Sequence, residues 1–325
     1  MSETDLPLDT SRQRLLRIGY ALFFVAVVVF CLVGLRGRWD EIGQAMSDTS
    51  PMRWLAGLTL VTAGLFPTAA VWFLLMTRHG AGIPKKPAFV TFFVGQLGKY
   101  IPGSLWSMGA QAEMARRHDT PPRVTVSAGL LFVGVNIASA GGLGSFAALV
   151  AGVDTAVPTV LFVLAAIGGP LVCTPPVLNR IGAALAPASH PLRFTWADSG
   201  LAYLGMAVTW ATYGWALSLL IEPPLGTPES GDLTALVTTA AFSLAYVVGV
   251  VVIIAPAGVG AREASMTAML TPYIGLERSV AAALMIRVLH TIADFVVALV
   301  AWLAAGSSLR PALRPGQADS SHAPT

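Results

Sequence analysis

Residues 250–263 read Val250-Val251-Val252-Ile253-Ile254-Ala255-Pro256-Ala257-Gly258-Val259-Gly260-Ala261-Arg262-Glu263. An apolar run is interrupted by proline and glycine and then followed at once by two charges. Proline removes a backbone donor and clashes with the preceding turn, and glycine loosens the backbone. In hydrocarbon, the freed N–H and C=O groups must be satisfied by protein or by water in a cavity. A break inside an apolar stretch therefore marks a cavity. The stretch around this break is Leu233–Leu270, and a second, Phe89–Arg117, breaks at Pro102-Gly103.

The rest of the chain explains why hydrocarbon is the right reference. Of 325 residues, 55% are hydrophobic and only 11% charged, and the mean hydropathy is +0.70. A soluble domain carries about 25% charged residues. The composition excludes a soluble enzyme, a nucleic-acid-binding domain and a disordered chain. It fits an all-α, polytopic membrane helix bundle. A hydrocarbon core about 30 Å thick needs about 20 apolar residues per helix. Six runs meet that length as full spans: Leu16–Leu35, Trp54–Thr77, Val124–Val153, Ala156–Leu178, Leu201–Ile221 and Val280–Ala305. The first follows Arg12, Arg14 and Arg17, ends at Arg36 and has no small-x-small cleavage site, so it reads as a retained helix rather than a signal peptide. Residues 12–306 read as one transmembrane domain between polar, disordered tails, 1–11 and 307–325. Cys31 and Cys173 lie in apolar runs without CxxC spacing and read as packing residues.

Loop charges orient the bundle. Arginine and lysine favour the cytoplasmic side. With both broken stretches re-entrant and both termini cytoplasmic, 13 basic residues fall inside and 4 outside. With both stretches spanning, the count is 8 against 9, and with only the second spanning it is 12 against 5. Re-entry is decisive for the first stretch and weaker for the second. Two broken segments in corresponding halves, reached from opposite sides, form the pattern of an inverted repeat. The chain is thus expected in the cell membrane, multi-pass.

The candidate site residues sit at the breaks. Lys99 comes three residues before Pro102, and a new half-helix is expected near Ser104. A helix N-terminus presents unpaired N–H groups and a positive dipole, so Lys99, Pro102, Gly103 and Ser104 together read as an anion site. At the second break Gly258, Gly260 and Arg262 repeat this arrangement, and the planar guanidinium suits a phosphate. The alternatives are a snorkelling Lys99 and a structural Arg262–Glu263–Asp294 ion network. On the last helix Arg287, His290 and Asp294 share one face by steps of three and four. That face must look into the bundle. Arg287 and Asp294 are expected to pair across His290, or His290 to relay protons. Glu113 is expected either to balance Lys99 or to lie at the cytoplasmic interface, Tyr100 and Trp106 to anchor at an interface, and Asn136 to bridge two helices. Glu263 and Glu113 complete the charged network. No catalytic motif, dinucleotide fingerprint, P-loop or metal-ligand cluster appears, so no catalytic residue, metal or cofactor is expected.

Two motifs carry a resemblance: Gly95-Gln96-Leu97-Gly98-Lys99-Tyr100-Ile101-Pro102-Gly103-Ser104-Leu105-Trp106, and Ala255-Pro256-Ala257-Gly258-Val259-Gly260-Ala261-Arg262-Glu263-Ala264. Together they resemble the flippase-like membrane-domain family, which includes the transmembrane half of lysylphosphatidylglycerol synthases and stand-alone relatives. The resemblance covers about Leu15 to Ala305. The second motif is similar to the family's Pro-Gly-Gly-x-Gly-x-Arg-Glu signature, with Ala257 in place of its first Gly. Family members often have Gly-Glu soon after the first proline, whereas Glu113 here comes much later. The resemblance implies movement or presentation of an anionic phospholipid or polyprenyl-phosphate-linked intermediate. The aminoacyl-transferase half is absent, so no enzyme activity carries over. The alternative is a non-transporting scaffold that partners a glycan-assembly glycosyltransferase. No nucleic-acid partner is expected.

Overall fold

The structure is a computed structural model that describes residues 39–100, 106–153, 157–186, 189–221, 234–252 and 260–304, and among them every regular element is helical. In order these are α1 (Trp39–Asp48), α2 (Pro51–Arg78) and α3 (Lys85–Gln96), which continues as a 3₁₀ turn, Leu97–Tyr100. Then come α4 (Trp106–Arg116), α5 (Pro122–Ala151), α6 (Thr159–Val172) and α7 (Pro175–Leu185). The last are α8 (Trp196–Leu219), α9 (Ala235–Val251), α10 (Ala261–Ile274) and α11 (Leu276–Ala304). The run Leu16–Leu35, both tails, Pro102, Gly103, Ser104 and Gly258 lie outside the described residues.

Three helices, α2, α5 and α11, are long and apolar enough to cross a membrane. Their outward faces are apolar, and α6 likewise exposes Val160, Leu161, Leu164, Ile167 and Leu171. Such surface is stable in lipid rather than in water. The protein is a helical membrane protein, but six uninterrupted spans are not what the described residues carry. The expected span Ala156–Leu178 is divided into α6 and α7, bent by 67°. Pro175 and Pro176 follow the end of α6 and have no N–H to extend its hydrogen-bond ladder. The expected span Leu201–Ile221 is α8, 24 residues long, which is not one of those three; it buries the polar-edged Thr209, Trp210 and Tyr213 inside the bundle.

Side-chain contacts give the direction of each helix. A Cβ added at Gly57 would meet Leu220, one at Gly64 would meet Tyr213, and one at Gly205 would meet Val71. The Thr209 hydroxyl donates to the Gly64 carbonyl oxygen at 3.1 Å, and Arg78 pairs with Asp198 at 2.6 Å. Residue numbers rise along α2 as they fall along α8, so these two helices are antiparallel. Likewise α5 runs antiparallel to α9, since Gly141 faces Val247 and Gly144 faces Ser243.

Two ends of the bundle follow. At one lie Arg78, the start of α5 and the start of α8. There the buried His79 accepts from or donates to Ser127 Oγ at 3.3 Å through Nε2, and its Nδ1 faces the His190 carbonyl oxygen at 3.3 Å. Asn179 clasps Phe194 there, donating to its carbonyl at 2.9 Å and accepting from its N–H at 2.8 Å. At the other end lie Thr49, the end of α8 and the start of α11, with Thr49 Oγ1 3.8 Å from Met285 Sδ. The pair α3–α4 therefore begins and finishes at the Arg78 end, and α9–α10 begins and finishes at the Thr49 end. Each half is a long helix, a broken pair and a second long helix, and the two halves run in opposite directions.

Close approach is bought with small residues, as membrane packing requires. A Cβ at Gly169 would strike the Ala138 carbonyl and lie 2.7 Å from the Gly142 Cα, so α6 touches α5 backbone to backbone. Among the described residues Asn136 makes no hydrogen bond to another helix. It is buried, and its amide donates to the Phe132 carbonyl of its own helix at 2.8 Å.

Candidate functional site

The residues that flank the two breaks, Lys99 and Tyr100 on one side and Gly260 to Glu263 on the other, pack against the last helix. α3 and its 3₁₀ turn rise roughly 26 Å from the Arg78 end, taking 1.5 Å per α-helical and 2.0 Å per 3₁₀ residue. The turn ends on Lys99 and Tyr100, packed against α11. Lys99 Nζ is 2.6 Å from Asp294 Oδ2, and the Tyr100 hydroxyl donates to the same oxygen at 2.6 Å. Tyr100 also stacks on Phe295, with centroids 5.5 Å apart and planes 28° apart. It is thus part of the buried cluster rather than an interfacial anchor. The Asp294 side chain is 6% exposed and that of Lys99 is 35% exposed, so the acid is enclosed while the ammonium keeps an open side.

The second break brings its own pair. Gly260 has φ +89° and ψ −57°, a conformation open to glycine, and its N–H donates to Glu263 Oε2 at 2.7 Å. Glu263 therefore caps the helix it belongs to, as an acid three residues into a first turn can. Its other oxygen, Oε1, accepts from Arg287 Nη1 at 3.2 Å. One carboxylate thus shapes the start of α10 and holds it to α11.

Arg262 is placed differently. Its Cβ packs over Gly249, where an added Cβ would come within 2.9 Å, and the guanidinium carbon lies 4.4 Å from the Phe242 ring centroid and 5.9 Å from that of Tyr246. Aromatic faces attract the cation through their quadrupole. Among the described residues, Arg262 has no ion pair or hydrogen bond. His290 stacks on the same Phe242 at 5.1 Å and meets Tyr213 edge-on at 4.6 Å. Its Nδ1–H donates to the Ile286 carbonyl at 2.9 Å, and its buried Nε2 has no hydrogen-bond partner among the described residues.

Of the sequence-derived residues, Lys99, Gly260, Arg262, Glu263, Arg287, His290 and Asp294 converge on α11 and the two breaks. Glu113 does not join them: it is exposed on α4 and pairs with Arg116 at 3.1 Å, one turn away. The expected Arg287–Asp294 pairing across His290 is replaced by Lys99–Asp294 and Arg287–Glu263. The helix ladder takes the His290 donor, and packing delivers a separate partner to each end of the α11 face. Tyr100, Phe242 and Tyr246 belong to the cluster and were missed as such. The four-residue spacing of Phe242 and Tyr246, one turn apart on the helix before the break, was the available signal.

Among the described residues the cluster holds three cations, Lys99, Arg262 and Arg287, and two carboxylates, Glu263 and Asp294, and the carboxylates pair with Lys99 and Arg287 rather than with Arg262. No group of three or more metal-ligating side chains is found among the described residues. No known family model matches the chain, and no curated protein matches it significantly.

Proposed function

We propose that this protein is a multi-pass cell-membrane protein that binds an anionic phospholipid or polyprenyl-phosphate-linked lipid and moves it between leaflets, as the flippase-like family its motifs resemble would. The observation that carries this reading is the uncompensated cation: Arg262 lies on Phe242 with no carboxylate partner among the described residues, beside two ion pairs that already match their charges. A buried unpaired charge is costly in a membrane and marks a site for a ligand of opposite sign. A phosphate can use both the guanidinium fork and the start of α10. The opposed directions of the two halves support an inverted repeat with re-entrant α3–α4 and α9–α10, each giving access from one side. With the Arg78 end cytoplasmic, as the loop charges direct, Lys99 serves one leaflet and Arg262 the other. The protein has no catalytic role in this reading.

The test is a leaflet-exposure assay in proteoliposomes with fluorescent phosphatidylglycerol, a polyprenyl phosphate and phosphatidylcholine. Transfer of the anionic lipids should be accelerated, and Lys99→Ala and Arg262→Ala should each reduce it about ten- to a hundredfold, as loss of a charge-assisted contact of roughly 1.5–3 kcal/mol implies. Arg262→Lys should not restore it, because an ammonium offers neither a planar stack on Phe242 nor a fork. Equal transfer of all three lipids, unchanged by the variants, would leave the scaffold for a glycosyltransferase as the better reading.

A further inference from the structure

On one aromatic ring inside the bundle rest a donor group without an acceptor and an acceptor without a donor. The Arg262 guanidinium carbon lies 4.4 Å from the Phe242 ring centroid, and the His290 ring stacks on the same Phe242 at 5.1 Å. Their separation cannot exceed the sum of those two distances. Neither carboxylate of the cluster serves Arg262, since Asp294 pairs with Lys99 and Glu263 with Arg287. A guanidinium offers five N–H donors in a fixed fork.

The tautomer of His290 is set by its own helix. Nδ1 lies 2.9 Å from the Ile286 carbonyl oxygen, which can only accept, so Nδ1 carries the proton. In the neutral ring Nε2 is then a bare acceptor, and it sits on the side of the ring farther from the α11 backbone. Nε2 is shut off from solvent and has no hydrogen-bond partner among the described residues. A buried acceptor left without a donor is costly. Arg262 carries donors beside the same ring, yet among the described residues it gives none to Nε2. A ligand that satisfies both groups must accept from the fork and donate to Nε2. A phosphodiester with no hydroxyl lacks the donor, and a neutral alcohol lacks the charge.

We infer that Arg262 and His290 together select an anionic lipid whose headgroup carries an O–H donor beside its phosphate, either an alcohol of the headgroup or the hydroxyl of a phosphate monoester. The inference rests on the anionic-lipid reading above and adds the feature that distinguishes one anionic lipid from another. The guanidinium holds phosphate oxygens, and His290 Nε2 accepts from the O–H. Phe242 fixes the position of both side chains by packing against each.

The experiment uses the full chain in phosphatidylcholine nanodiscs, titrated with phosphatidylglycerol, phosphatidic acid or phosphatidylmethanol of identical acyl chains, with bound lipid counted by native mass spectrometry. Phosphatidylglycerol has headgroup hydroxyls, and singly ionised phosphatidic acid has one on phosphorus. Phosphatidylmethanol has the same charge as phosphatidylglycerol and no donor. At least one donor-bearing lipid should bind the native chain about tenfold tighter than phosphatidylmethanol, the size expected for a buried acceptor left unmet. Tighter phosphatidylglycerol assigns the donor to the headgroup alcohol, and tighter phosphatidic acid alone assigns it to the monoester. His290→Phe keeps an aromatic ring on Phe242 without an acceptor. It should bring the preferred lipid down to the level of phosphatidylmethanol and leave phosphatidylmethanol itself unchanged. His290→Gln, which retains an acceptor oxygen, should keep part of the preference. Equal binding of all three lipids to the native chain, weakened by Arg262→Ala, would overturn the inference and spare the anionic-lipid reading. This comparison needs no variant of His290. Binding of none of the three above phosphatidylcholine, indifferent to Arg262→Ala, would overturn both. Displacement of the preferred lipid by excess inorganic phosphate would make a soluble phosphate the ligand and also overturn the inference.

Discussion

Lys99 lies in the 3₁₀ turn that ends α3 and Asp294 in the second half of the last helix, and their Nζ and Oδ2 atoms are 2.6 Å apart. Seven residues earlier on the same helix, Arg287 is held by Glu263 of the second broken segment. Helix α11 is therefore fastened to both breaks, by its acid to one and by its base to the other. Any motion that opens one break from α11 must exchange one of these pairs for another partner.

This arrangement sets the outcome of a double-mutant cycle. Asp294→Asn should lower detergent thermostability, since breaking a buried pair costs roughly 3–5 kcal/mol. Lys99→Met together with Asp294→Asn should recover part of the loss. Arg287→Met and Asp294→Asn, two helical turns apart with separate partners, should add within about 0.5 kcal/mol. Coupling between Arg287 and Asp294 comparable to that between Lys99 and Asp294 would contradict the pairing.

Adjacent glycines on α6 should behave oppositely. A Cβ at Gly168 would meet nothing within 4 Å, whereas one at Gly169 would run into the backbone of α5. Gly168→Ala should be neutral or slightly stabilising, because it lowers the entropy of the unfolded chain and favours helix. Gly169→Ala should cost about 1–3 kcal/mol or more through overpacking against an immovable backbone. Thermal unfolding of the two purified variants in the same detergent checks this.

Stability at the Arg78 end should depend on pH in two steps. Burial pushes the His79 imidazole below its ordinary 6.5. The folded protein therefore resists a proton that the unfolded chain accepts, and stability is lost as pH falls below about 6.5. Burial also pushes Asp198 upward. The Thr195 N–H and hydroxyl and the Arg78 guanidinium outweigh it and hold the carboxyl below its ordinary 3.8. Its contribution is present above that value and disappears as pH falls through the lower folded one. Midpoints measured from pH 8 to pH 4 should decline below 6.5 in the native chain and decline less in His79→Gln. Parallel curves for the two would remove His79 as the source.

Much of this was legible in the residues alone. Scarcity of charge against long apolar runs specifies helices in lipid, because hydrocarbon leaves no other way to satisfy the backbone. The same penalty made Lys99, Arg262, Arg287, His290 and Asp294 stand out, and Pro102 and Pro256 with their glycines announced both breaks. The residues did not reveal which acid serves which cation. Spacing along α11 made Arg287 and Asp294 look like partners, since a helix reports only its own face. Partner choice depended on how α3 and α10 dock against that face, which is a matter of packing between segments distant in the chain. The bend between α6 and α7 was likewise hidden, because hydropathy counts apolar residues through a proline pair that ends the helix. That neither carboxylate of the cluster pairs with Arg262, on which the functional reading rests, could be seen only after each pairing among the described residues had been made in three dimensions.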